Sequence, residues 1–201
     1  MKSKNTVVFI HGFQKDTYSW NYNSKNKPIL IEETLAKSNN TVLIQMNQED
    51  YMMTTTEASN KIYEQLTDYL NTKITLVTHS LGSFYALKLA ELYPNTFKKL
   101  LLIDPTIKTP EYFEYISSQP LDNNKLKNYH DLPTGLTLSP KIIVRIHFDY
   151  NPDIIHKIPY YNKMTNKNTK SRLILHDNIG HMIHWKIPHV IIDSINEMIK
   201  F

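Results

Sequence analysis

A chain of 201 residues is long enough to bury one sizeable core and short for two. With 41% hydrophobic and 21% charged residues it has a globular composition, and no apolar run reaches the length of a membrane span or a cleavable leader, so a cytoplasmic protein without integral membrane association is expected. The net charge of +4 is scattered over lysines with arginine only at Arg145 and Arg172, which argues against nucleic acid as a partner, and the lack of cysteine excludes disulfides, thiol nucleophiles and thiolate metal sites.

The first strand is expected at Thr6 to Ile10 (TVVFI), running into His11, Gly12 and Phe13, and the second at Thr41 to Gln45. Ala58, Ile62, Leu66 and Leu70 then recur at spacing four behind the capping residues Thr54, Thr55 and Thr56, with Glu57 in the first turn, which predicts a helix. A third strand, Ile74 to Thr78, leads into His79, Ser80, Leu81 and Gly82. A helix should follow from Gly82 to Tyr93, stopped by Pro94. The fourth strand, Lys99 to Ile103, precedes Asp104 and Pro105; the fifth, Lys141 to Ile146, precedes His147, Phe148 and Asp149. The sixth, Arg172 to Leu175, precedes Asn178, Ile179, Gly180 and His181. A last helix opens at Pro188, with Ile191, Ile195 and Met198 on one face.

Most of these strands are continuous apolar runs, as parallel strands covered on both faces require. Their alternation with helices predicts a three-layer α/β/α sandwich with a mostly parallel six-stranded sheet, spanning residues 1–201 as a single domain. Ligands of such sheets bind beyond the carboxyl ends of the strands, so the residues after each strand carry the functional information. Those positions collect a serine, several histidines and several carboxylates.

A serine hydroxyl attacks an acyl carbon when a base takes its proton, and the base works best when a carboxylate sets its tautomer. Ser80, Asp149 and His181 occur in the order nucleophile, acid, base. Asp104 and Asp153 compete with Asp149 for the acid, and His176 and His184 with His181 for the base. The wider set of His147, His156, His176, Asp177, His181 and His184 invites a metal reading. No two of its histidines have the i, i+4 spacing of a metalloprotease helix, so neither metal nor cofactor is expected.

Four ordered motifs resemble the α/β-hydrolase superfamily over nearly the whole chain: VVFIHGFQKDTYSW its first conserved strand and oxyanion loop, ITLVTHSLGSFYALKLAELYPNTFKKLLLIDP its nucleophile elbow and the next strand, SPKIIVRIHFD its strand and acid, and HDNIGHMIHW its histidine loop. The resemblance implies Ser80 as nucleophile, His181 as general base and Asp149 as acid. The backbone N–H groups of Phe13 and Leu81 would form the oxyanion hole, with Gly12, Gly82 and Gly180 shaping the loops around them. It also implies a short segment, about 106–139, in the place of a lid, and the aromatics Tyr112, Phe113, Tyr115 and Tyr129 fall inside it. His79, Trp20 and Met182 are candidates for lining the substrate pocket. Thr78 stands where the elbow pattern has a glycine, so a small neighbour on the adjacent strand or helix is expected to accommodate it.

The activity implied is that of a serine hydrolase cleaving a small-molecule carboxylic ester or thioester, as a carboxylesterase, lipase or thioesterase does. The alternative is a protein that keeps the fold and binds a ligand without catalysis. Lyase chemistry on the same triad would need a further general acid, such as a lysine, which no motif places.

Overall fold

The computed structural model describes residues 5–13, 15–110, 114 and 131–201. Its elements follow in the order β1 Asn5–Ile10, α1 Ile31–Ala36, β2 Asn40–Ile44, α2 Thr55–Gln65, β3 Lys73–His79, α3 Gly82–Leu92, β4 Lys99–Ile103, β5 Ile143–Tyr150, α4 Ile158–Thr165, β6 Arg172–Asp177, α5 Ile183–Lys186 and α6 Pro188–Lys200. The six strands form one sheet in the order β2-β1-β3-β4-β5-β6, and every neighbouring pair is parallel. The expected six-stranded α/β architecture is therefore the observed one.

Strand side chains alternate between two apolar cores, one on each face of the sheet. Val8 and Ile10 of β1, Leu76 of β3 and Leu100 and Leu102 of β4 pack with Ile62, Ala86, Leu89, Tyr161 and Met164 of α2, α3 and α4. Val7, Phe9, Val77, Leu101 and Ile103 face the other way, against Ile31, Leu35, Ile183, Ile191 and Ile195 of α1, α5 and α6. A strand that feeds two cores has no solvent face. This is why β1, β3 and β4 read as largely apolar runs, interrupted within β3 by buried Thr75 between Ile74 and Leu76.

The helix boundaries have local chemical causes. Thr54 and Glu57 form a reciprocal capping box at the start of α2: the Thr54 hydroxyl accepts from the Glu57 N–H, and the Glu57 carboxylate accepts from the Thr54 N–H. α2 ends at Gln65 and the chain continues as a 3₁₀ turn over Thr67–Tyr69, shorter than the apolar spacing to Leu70 suggested. α3 stops at Leu92, just before Tyr93 and Pro94.

β5 departs from expectation at both ends. It begins at Ile143 and continues to Tyr150, so Asp149 lies inside the strand, paired in register with His176, and not in a loop beyond it. Of the segment 106–139, residues 111–113 and 115–130 lie outside the described residues, and with them Tyr112, Phe113, Tyr115 and Tyr129. Past that stretch, Asp131 accepts from the Thr56 N–H at 2.6 Å and from Lys88 at 3.2 Å, which ties the returning chain to α2 and α3.

Candidate active site

The strand order reverses direction between β1 and β3, so the loops leaving their carboxyl ends diverge to opposite sides and leave a crevice between them. The first strand's HGF loop and the third strand's HSLG turn meet there.

Ser80 follows β3 directly and adopts φ 51, a left-handed conformation that costs a non-glycine residue about 1–2 kcal/mol. Hydrogen bonds from the neighbouring strand hold it in place. Its N–H donates to the Ile103 carbonyl at 3.0 Å, and its carbonyl accepts from Thr106 at 3.2 Å and Ser83 at 3.1 Å. The turn brings α3 onto β1 so closely that a Cβ on Gly82 would meet the carbonyl oxygens of Ile10 at 2.7 Å and His11 at 2.8 Å. Thr78 is fully buried in this turn, and its hydroxyl lies 3.3 Å from the Ser83 hydroxyl on α3. Ser83 is thus the small neighbour that the threonine requires.

The loop after β1 crosses over the elbow. A Cβ on Gly12 would lie 2.9 Å from His79 Nδ1 and 3.2 Å from Ser80 Cβ, so no larger residue fits without a shift. His11 locks this loop to the strand end beside it. Its Nε2 accepts from the Met46 N–H at 3.0 Å, which leaves Nδ1 protonated to donate to the Gly12 carbonyl at 2.8 Å. Burial lowers the His11 pKa, in keeping with this neutral tautomer. Among the described residues the N–H groups of Phe13 and Leu81 take part in no hydrogen bond. The Phe13 ring is 53% exposed and meets Tyr51 edge-on at 5.0 Å. The glycine-free loop that follows β2 is organised by buried Asp50, which accepts from the Asn47 N–H at 2.7 Å and pairs with Lys61 of α2.

His181 sits in a turn shaped by two left-handed residues, Asn178 at φ 54 and Gly180 at φ 83. Its ring nitrogen Nδ1 is hydrogen-bonded to Asp104 Oδ2. Asp104 lies one residue past β4, at φ 40, with its N–H on the His147 carbonyl at 2.7 Å and its Oδ1 3.4 Å from the Asp149 N–H. Asp149, expected to meet His181, instead accepts from the Ile179 N–H at 2.7 Å. The reason is the length of β5: its extension keeps Asp149 within the sheet, whereas β4 stops one residue short of Asp104 and frees that carboxylate to reach the histidine loop. The Asp153 side chain lies outside the described residues. Between Ser80 and the His181 ring there is no hydrogen bond among the described residues.

The other candidates divide clearly. His79 is 3% exposed, its Nε2 is 3.0 Å from the His181 carbonyl, and its ring packs on those of His181 and His184 at 4.6 Å each. Burial, then the neighbouring His181, push its pKa down to about 3. Trp20 is fully buried between Phe9 and His184, a core residue and not a pocket wall. Met182 is half-buried at the start of α5. His184 is completely buried, and neither of its nitrogens has a partner among the described residues. His147 and His176 bond each other at 2.9 Å, and His147 bonds Ser194 of α6 at 2.7 Å. Among the described residues no three His, Cys, Asp or Glu side chains gather as a metal site.

One group escaped the motifs entirely. Lys157, half-buried at the start of α4, lies in the field of Asp104, and burial lowers its pKa. One turn later Tyr161 donates to the Pro105 carbonyl at 2.7 Å, which fixes this helix against the tip of β4. Only tertiary packing brings Lys157 there; its sequence neighbourhood carries no signal.

No family model matches the chain, and no curated protein matches it. Solved structures do. A structure from work on the metagenome-derived lipolytic enzymes LipS and LipT aligns with a TM-score of 0.72 at 13% identity, covering 100% of this chain and 95% of that one. MenH from S. aureus gives 0.69 at 16% identity over 100% and 95%. A laboratory-evolved potato epoxide hydrolase gives 0.70 at 13% identity over 100% and 94%. The chain has the α/β-hydrolase fold. Neighbours named for different reactions share that fold, so the reaction must be argued from the residues of the site.

Proposed function

We propose that this protein is a serine hydrolase that cleaves a small-molecule carboxylic ester or thioester, with Ser80 as nucleophile, His181 as general base and Asp104 as the acid. The observation that carries the reading is the His181–Asp104 hydrogen bond at the mouth of the crevice where Ser80 is held at positive φ. Esterases and lipolytic enzymes among the structural neighbours are consistent with it.

On this reading the proton positions follow from the hydrogen-bond partners. A carboxylate only accepts, so Nδ1 of His181 carries the hydrogen and Nε2 is left with a lone pair. Nε2 takes the Ser80 hydroxyl proton as Oγ bonds to the acyl carbon, and the oxygen of that carbonyl becomes negative. The N–H groups of Phe13 and Leu81 stabilise this oxyanion. His181 then passes the proton to the leaving alkoxide or thiolate as its bond to carbon breaks. Water repeats the sequence on the acyl-enzyme and regenerates Ser80. Asp104 holds the tautomer and stabilises the imidazolium formed in each half-reaction.

The test is hydrolysis of p-nitrophenyl esters of graded chain length, together with labelling by a fluorophosphonate probe. Ser80→Ala is expected to abolish labelling and lower turnover on the order of 10⁶-fold. Asp104→Asn should cost on the order of 10⁴ because it permits the wrong histidine tautomer. Asp149→Asn should cost far less, and the reverse ranking of the two carboxylates would reassign the acid. Folded wild-type protein that neither labels nor hydrolyses any ester would instead be a ligand-binding relative of the fold.

A further inference from the structure

Ile179 packs against the second apolar core, but the loop is open where it carries His181: nothing lies within 4 Å of where a Cβ on Gly180 would stand, and the His181 side chain is 53% exposed. Three side chains tether it, each from the carboxyl end of a different strand. Asp104, past β4, holds the ring; Asp149, on β5, holds the Ile179 N–H at 2.7 Å; His79, the last residue of β3, holds the His181 carbonyl at 3.0 Å. The third tether differs from the others because its residue is bonded directly to the nucleophile.

From this arrangement we infer that His79 is a positioning residue which ties the general-base loop to the nucleophile elbow, so that Ser80 and His181 keep their register. The inference rests on the reading of Ser80 and His181 given above. A carbonyl can only accept, so Nε2 of His79 carries the hydrogen and donates it. The ring is then held from three sides: by the His181 ring, by the buried His184 ring, and by the backbone of Gly12, whose missing Cβ leaves room for Nδ1. One imidazole thereby touches the oxyanion loop, the elbow and the base loop together. Neutrality suits this role, because His181 becomes positively charged in each half-reaction and a second imidazolium packed on it would oppose that step. A substrate-binding role, the sequence-based expectation for His79, would need a face open to the crevice. The ring is instead 3% exposed.

His79→Phe and His79→Gln are compared with wild type and Ser80→Ala for ester hydrolysis, fluorophosphonate labelling rate and thermal unfolding. Misplacing a base by about an ångström costs on the order of 10²-fold, so His79→Phe should lose about that much kcat and labelling rate with KM within twofold of wild type. Its kcat/KM against pH should show a displaced acidic limb, the limb on which the general base His181 is protonated, which a loss of stability alone would not produce. His79→Gln, whose amide N–H can reach the same carbonyl, should recover a large part of the loss even if His79→Phe folds poorly. A KM that rises with kcat unchanged, or a glutamine variant no better than a folded phenylalanine variant, would overturn the inference. Full activity in Ser80→Ala would instead remove the triad reading beneath it.

Discussion

At the scale of single residues the site is built against local preference. Ser80 and Asp104 both hold positive φ without being glycine, and both are pinned by hydrogen bonds across the tips of β3, β4 and β5. Strain of this kind persists only where the surroundings over-determine the conformation, and it marks places where a side chain is wanted at a fixed point. Ser80→Gly should therefore be inactive yet more stable than Ser80→Ala by about 0.5–1 kcal/mol, the relief of left-handed strain less the added freedom of the unfolded chain. Urea denaturation of the two variants checks this, and equal midpoints would refute it.

Buried histidines make a second residue-scale prediction. His79 and His147 are depressed to about 3, and His184 falls well below its ordinary value, in each case chiefly because burial disfavours the charged ring. In the unfolded chain these rings take up protons near pH 6.5. The unfolded state thus binds more protons below that pH, and the stability these residues contribute is fully present above about pH 6.5 and lost as pH falls toward 3. His184→Phe replaces a ring whose nitrogens have no partner among the described residues, and it is expected to flatten part of that dependence. An unchanged slope of Tm against pH between 6.5 and 4 would show that His184 contributes nothing to it.

At the scale of elements, what ends a strand or starts a helix decides which residue becomes functional. The capping box of Thr54 and Glu57 begins α2, and Thr54→Ala should cost about 1 kcal/mol with little effect on activity, since the cap lies at the surface. Gly82→Ala should act differently. Its new methyl meets two backbone carbonyls of β1 that cannot turn aside, so about 1–3 kcal/mol of stability and most of the activity should go together. A calorimetric scan beside an ester assay separates the two cases. The partner of His181 shows the same logic: Asp104 and Asp149 are both aspartates near strand ends, and which of them meets that ring follows from β4 stopping at Ile103 while β5 runs on to Tyr150. Hydrophobic pattern locates a strand, but it fixes the end only loosely, because the last ladder bonds depend on what the neighbouring strand offers. Here β6 extends alongside to Asp177 and carries β5 with it.

Over the whole molecule, much was legible from the chain alone. Continuous apolar runs separated by amphipathic stretches specified parallel strands, two covered faces and six strands, because a strand covered on both faces is apolar at most positions, and buried exceptions such as Arg145 and His147 find hydrogen-bond partners on α6. The residues after β1, β3 and β6 could be picked out as candidates, since ligands of such sheets bind beyond the carboxyl ends of the strands. What tertiary structure alone decided was partnership: His181 with Asp104, Asp149 with the Ile179 N–H, His79 with the His181 carbonyl, Trp20 with the core, and Lys157 beside Asp104. The pairing of His79 with His181 joins residues 102 positions apart. Such pairings depend on differences in strand length and loop course of about one residue, roughly 3.3 Å, which no periodicity in the sequence resolves and which the packing of neighbouring strands determines.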